Sequence, residues 1–178
     1  IEQFIPSYPA RFFNQRTDSA LPQKSLALMP PDAINTAEKH LRDILTLAIQ
    51  HKQTQAALVV FDTRSGLAIT LTAAYRCCLK TAVFIDFDAV TPETVFAEFA
   101  KLAPSDLVVL IQSTNFRLEA FRIRVELFKR SLKVIEHPHL ARMQGEQADY
   151  YIESLAYDPA YFRGVGNALK QRIDCAAF

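Results

Sequence analysis

Four short apolar runs, 57–61, 82–87, 107–111 and 132–135, punctuate the chain, and each is continuous rather than alternating. Runs of this length and kind predict β-strands covered on both faces. Segments with helical periodicity separate them, at 66–79, 92–102 and 117–130. The second opens Thr91-Pro92-Glu93, which supplies an N-cap, a proline at the first helical position and an acid in the first turn. The third sets Leu118, Phe121, Val125 and Phe128 on one side and Arg122, Glu126, Lys129 and Arg130 on the other. Arg122, Glu126 and Arg130 fall at i, i+4 and i+8, the spacing of a solvated ion-pair ladder, with an anion site as the alternative. Alternating strands and helices of these lengths predict an α/β three-layer sandwich with a mainly parallel, doubly wound sheet of about four or five strands.

The flanks follow other patterns. Residues 1–31 hold Pro6, Pro9, Pro22, Pro30 and Pro31 among scattered aromatics, which predicts an extended Pro-rich N-terminal arm. Asn35 and Glu38 have capping-box spacing, and Leu41, Ile44, Leu45 and Ala48 then recur helically, so a helix is expected from there to about His51. After His139 a polar turn, Gln144-Gly145-Glu146, leads through Tyr150-Tyr151-Ile152 to a helix expected over 160–174. The resulting division is an arm over 1–31 and an α/β domain over 32–178 that ends in a helical segment.

Composition narrows the function classes. Half of the 178 residues are hydrophobic, enough for one ordinary core. Twenty basic against 19 acidic residues leave a net charge of +1, so no global field draws the chain to nucleic acid or to an anionic membrane. No apolar run approaches the ~20 residues of a membrane helix and no signal core is visible, so a cytoplasmic location is expected. The three cysteines, Cys77, Cys78 and Cys175, form neither a disulfide framework nor a CxxC knuckle and are expected to be buried, reduced thiols. With four glycines there is no GxGxxG and no GxxxxGK loop. The opening Ile1 and the final Cys175-Ala176-Ala177-Phe178 are expected to mark an excerpt of something longer.

In an open parallel sheet, ligands bind outside the carboxyl ends of the strands, where the βα loops converge. Here those ends carry Asp62, Thr63, Arg64 and Ser65, then Asp86 and Asp88, then Gln112, Ser113, Thr114 and Asn115, and finally Glu136, His137 and His139. Asp62, Ser65, Ser113, Asn115, Glu136, His137 and His139 are the ligand-binding candidates. Asn115 also suits an N-cap. Asp86 and Asp88, two apart in an extended segment, suit either a divalent cation or local capping of the loop. The two imidazoles beside Glu136 are material for metal binding or proton transfer, or else a polar loop at an interface. No third metal ligand stands at metal spacing, and no nucleophile–His–Asp order is legible. Neither a metal site nor a cofactor is expected within this chain.

The segments 106–113, 122–130 and 134–140, continuing through Ala156-Tyr157-Asp158-Pro159 and 169–174, resemble the N-terminal half of bacterial leucyl aminopeptidase-like proteins. Those are similar to the thermophilic metalloprotease family of aminopeptidases T and S. The resemblance covers most of 37–176 and implies that the chain is a non-catalytic N-terminal α/β domain. It also implies a C-terminal half holding a two-metal site of Glu, His, Tyr and Asp ligands, none of which has a matching position here. The isolated chain is then expected to be inactive, with its partners the C-terminal catalytic domain of the same protein and a second copy in a homodimer. The alternative, from another class, is a module that binds a small anion or amino acid through Asp62, Ser113, Asn115 and His137 at the strand-end crevice. A third, an autonomous hydrolase, requires the Asp86, Asp88 and His loops to converge.

Overall fold

The computed structural model describes residues 29–116 and 123–176. In chain order the elements are helix α1 (Pro31–Asp43), which runs into a π-helical segment (Ile44–Ala48), β1 (Ala57–Phe61), α2 (Gly66–Cys78), β2 (Val83–Asp86), α3 (Pro92–Ala100) and β3 (Leu107–Ile111). There follow α4 (Ile123–Lys129), β4 (Lys133–His137), a 3-10 turn (Leu140–Arg142), α5 (Glu146–Ser154) and α6 (Pro159–Asp174). The four strands pair in the order β2-β1-β3-β4, all parallel. The expected three-layer α/β sandwich is therefore present, with four strands among the described residues.

The strand order follows from which helices bury which side chains. Successive residues of a strand face opposite ways. Ala57, Val59 and Phe61 of β1 and Leu107, Val109 and Ile111 of β3 pack with α1, α2 and α5. Leu58, Val60, Val108 and Leu110 pack with Val95 and Phe99 of α3 and Leu127 of α4 on the opposite face. Both central strands are buried along their whole length, as their unbroken apolar sequence requires. The chain winds from β1 out to β2 on one side, then crosses to β3 on the other, so the direction of winding reverses between β1 and β3. That reversal opens a crevice at the carboxyl ends of these two strands.

Several elements differ from expectation. Helix α1 starts at Pro31, not beside Asn35, because a proline at the first helical position gives up only an N–H that would have no helical partner. Residues 1–28 of the expected arm lie outside the described residues, as do 117–122 of the expected third crossover helix. Strand β4 runs on to His137, whose partner in β3 is Ile111. Helix α5 was not expected at all; it starts after Gly145, at φ 57°, and buries Ala148 and Ile152 against the α1/α2 side of the core. Of the expected ion-pair ladder, Glu126 and Arg130 do not pair with each other. Glu126 pairs with Lys129 at 2.9 Å, while Arg130 donates to the carbonyls of Phe99 at 2.6 Å and Leu102 at 2.8 Å at the end of α3; Arg122 lies outside the described residues. The cysteines are free, as expected, but Cys77 and Cys175 are exposed, and half-burial pushes the Cys78 thiol up to about 11.

Helix α6 matches its expected span, with Asp158 accepting the N–H groups of Ala160 at 2.9 Å and Tyr161 at 3.1 Å. None of its residues is buried. Tyr161, Val165, Leu169 and Ile173, each four apart, form an exposed apolar stripe, and on the opposite side Arg163 donates to the Leu47 carbonyl at 2.7 Å. No helix among the described residues is long and apolar enough to cross a membrane.

Candidate functional site

The crevice between β1 and β3 is built around one buried carboxylate. Asp62, the residue after β1, is 1% exposed. Its Oδ2 accepts the N–H of Ser113 at 2.8 Å and its Oδ1 the N–H of Arg64 at 3.1 Å. The side chain thus ties the loop after β1 to the loop after β3, and its oxygens are committed to backbone rather than to a ligand. Above this tie, the Ser65 and Ser113 hydroxyls meet at 2.8 Å, and Ser65 also caps α2 by accepting the Ala68 N–H at 3.2 Å. Both serines are therefore held by the scaffold.

A third wall comes from the segment after β4. His139 takes a left-handed backbone, φ 59° and ψ 30°, a conformation that costs a non-glycine residue ~1–2 kcal/mol. The turn it makes brings the Leu140 N–H to the Gln112 carbonyl at 2.9 Å and the Ala141 N–H to the Ser113 carbonyl at 3.1 Å. These bonds fasten the 3-10 turn onto the end of β3 and point Arg142 into the same opening. Arg64, Phe87, Ser113, Thr114, Asn115, His139 and Arg142 surround a cleft of about 560 Å³.

Two guanidinium groups line the cleft, and three carboxylates, Asp88, Asp62 and Asp86, act on the one at Arg64. Asp88 accepts from both Nε and Nη2 of Arg64, with the Nε contact at 2.6 Å, and this bond raises the guanidinium pKa above its usual value. Arg142 shows no carboxylate partner among the described residues. The Asp86 carboxylate serves its own loop by accepting the Asp88 N–H at 3.0 Å. Asp86 and Asp88 are thus engaged separately, and among the described residues no group of three or more His, Cys, Asp or Glu side chains could hold a metal. The donor set suits an anion.

The remaining candidates lie elsewhere. His137 was expected in a polar loop but ends β4, 2% exposed, between α2 and α5. Its Nε2 meets the Tyr75 hydroxyl at 2.9 Å and its Nδ1 the Tyr151 hydroxyl at 2.8 Å. Burial holds its pKa down at about 4, and pushes Tyr151 up to about 12 and Tyr75 well above its ordinary value. A neutral imidazole has one donor and one acceptor, so one tyrosine donates to it and the other accepts. Glu136 accepts from Gln112 Nε2 at 2.9 Å, and Gln112 Oε1 in turn accepts the Phe116 N–H at 2.9 Å.

Of the residues singled out from sequence, Ser113, Asn115 and His139 come together at the cleft, Asp62 and Ser65 support it from below, and His137 is enclosed in the core. Phe87 and Arg142 were not singled out. Phe87 follows directly on a strand, a position at which an aromatic can line the crevice, whereas no pattern around Arg142 marks it. No protein-family model matches the chain, and neither a curated protein nor a solved structure is significantly similar to it.

Proposed function

We propose that the chain is a binding module for a small anion at the crevice between β1 and β3. The observation that carries this reading is the convergence of two guanidinium groups, a histidine and the side chains of Ser113, Thr114 and Asn115 on one cleft. Hydroxyl and amide donors fix an anion's orientation, and the arginines supply charge and bidentate geometry. The Ser65 and Ser113 hydroxyls bond each other and Ser65 accepts a backbone N–H, so these two are held as parts of the scaffold and the arrangement favours binding over turnover. Inorganic phosphate at ten times its dissociation constant is expected to stabilise the fold by about 1.4 kcal/mol, a rise of about 3–6 °C in Tm for a domain of this size. The double variant Ser113→Ala with Asn115→Ala is expected to lose that rise relative to its own ligand-free Tm. A flat response of the native chain to phosphate, sulfate and carboxylate probes contradicts the reading.

The stripe on α6 favours a second, compatible reading. Four large apolar side chains are each more than half exposed, an arrangement that marks a surface for a protein contact. In this reading the chain is the non-catalytic N-terminal α/β domain of a metalloaminopeptidase-like protein, and the catalytic domain of that protein packs on the stripe. The resemblance in 106–113 and 134–140 supports it. Zinc- or cobalt-dependent release of an N-terminal residue by the 178-residue chain alone contradicts it.

A further inference from the structure

Phe87 is the one large apolar side chain among the described residues lining the cleft. Its N–H donates to the Phe61 carbonyl at 2.8 Å, which fixes it over the end of β1. Phe116, positioned by its N–H bond to Gln112 Oε1, stacks on it with ring centres 4.2 Å apart and planes 13° from parallel. Phe116 covers one face of Phe87, and both rings are partly buried against the core on the α3/α4 side, so Phe87 offers the cleft the part of its ring that these contacts leave open. The result is an aromatic platform, anchored from two strands and lining the same cleft as Arg64 and Arg142.

We infer that the cleft takes a phosphomonoester carrying a planar heteroaromatic ring, a ligand of the size and chemistry of a nucleoside monophosphate. The inference rests on the anion-site reading and adds a ring subsite to it. A phosphomonoester presents three terminal oxygens, enough to meet the free N–H groups of Arg64, the Arg142 fork and the donors of Thr114 and Asn115. A carboxylate has two oxygens and leaves part of that set unpaired. The volume agrees, because about 560 Å³ lies within the range of about 300–1,000 Å³ for small-molecule sites and a lone phosphate leaves most of it to water. Phe87 fills the remaining role. A base stacked on an aromatic side chain gains affinity irrespective of its hydrogen-bonding edge. With the polar lining engaged by the phosphate, the site discriminates ring from no ring more strongly than one base from another.

The test is a calorimetric titration of the 178-residue chain with adenosine 5′-monophosphate, ribose 5-phosphate and inorganic phosphate as separate probes. Adenosine 5′-monophosphate is expected to bind about tenfold or more tightly than ribose 5-phosphate, the gain of one stacked base. Phe87→Leu keeps an apolar side chain against Phe116 and is expected to remove that difference, bringing the adenosine 5′-monophosphate affinity down to that of ribose 5-phosphate measured on the same variant. Its ligand-free Tm checks that it folds. A second readout needs no variant: saturation-transfer difference NMR is expected to show the adenine protons as those closest to the protein. Equal affinities for the two sugar phosphates, or a difference that persists in Phe87→Leu, overturns the ring subsite and leaves the anion site standing. Failure of all three probes to bind removes both.

Discussion

Asp62→Ala is expected to destabilise the fold by about 2–4 kcal/mol, because it strips the acceptors from two backbone N–H groups at the centre of the molecule. The Ser113 N–H is enclosed beneath the cleft, and a buried donor left without a partner costs ~1–3 kcal/mol by itself. The loss of a bond to an ionised acceptor adds to this. Asp62→Asn separates the two contributions, since its single carbonyl satisfies one N–H while its amide turns a donor toward the other. It is expected to lose about half as much. Urea unfolding without ligand measures both effects. The cleft is expected to suffer further, as Asp62 is what holds the loops carrying Arg64 and Ser113 in register, so phosphate affinity falls with stability. A loss below about 0.5 kcal/mol in Asp62→Ala contradicts this role for the carboxylate, for it would place Asp62 among ordinary surface substitutions.

The second large effect is acid sensitivity from His137. In the unfolded chain this imidazole takes up a proton near pH 6.5, while in the fold burial delays that to about pH 4. Between these values the unfolded state binds more protons, so stability falls as pH falls, by about 1.4 kcal/mol per pH unit for one site. The full contribution is roughly 3 kcal/mol, present above about pH 6.5 and gone by about pH 4. The groups that face the ring, Tyr75 from α2 and Tyr151 from α5, are both held neutral throughout this range. His51 contributes in the same direction, because burial and Lys133 lower its pKa too. His137→Gln keeps a donor and an acceptor without a titrating ring and leaves His51 in place. Its stability is expected to fall between pH 6.5 and 4 with a slope smaller by up to one proton. Identical pH profiles for the two proteins would contradict the assignment.

The layers of the fold were legible because their cause is local. Leu107 to Ile111 is apolar at every position, and only a strand covered on both sides has five consecutive places for such residues. Thr91-Pro92-Glu93 located the start of α3 for an equally local reason, a cap whose hydroxyl accepts the Thr94 N–H. What escaped depended on long-range partners. Ala148 and Ile152 of α5 are only two apolar positions in a polar stretch, and their meaning comes from α1 and α2, distant in sequence. His137 read as a loop residue because nothing adjacent reveals that Tyr75 and Tyr151 close around it. Pro31 was read as a helix breaker, although at the first helical position it is compatible with the helix.

At the crevice, sequence reasoning found the right strand ends but not the division of labour. Asp62, Ser65, Ser113 and Asn115 were all placed at the carboxyl ends of β1 and β3. Only the geometry separates Asp62 and Ser65, whose oxygens serve backbone N–H groups, from Asn115, which lines the opening. Arg142 enters through the left-handed turn at His139, a backbone feature that a histidine does not announce.

The most direct test of the anion site is amide chemical-shift mapping by NMR as inorganic phosphate is titrated into the isotope-labelled chain. The expected result is a set of saturable shifts confined to the three loops around the crevice, 63–66, 113–116 and 139–142, and diminished in Arg142→Ala. An absence of saturable shifts there, or shifts concentrated on α6 or another distant surface, would contradict the account.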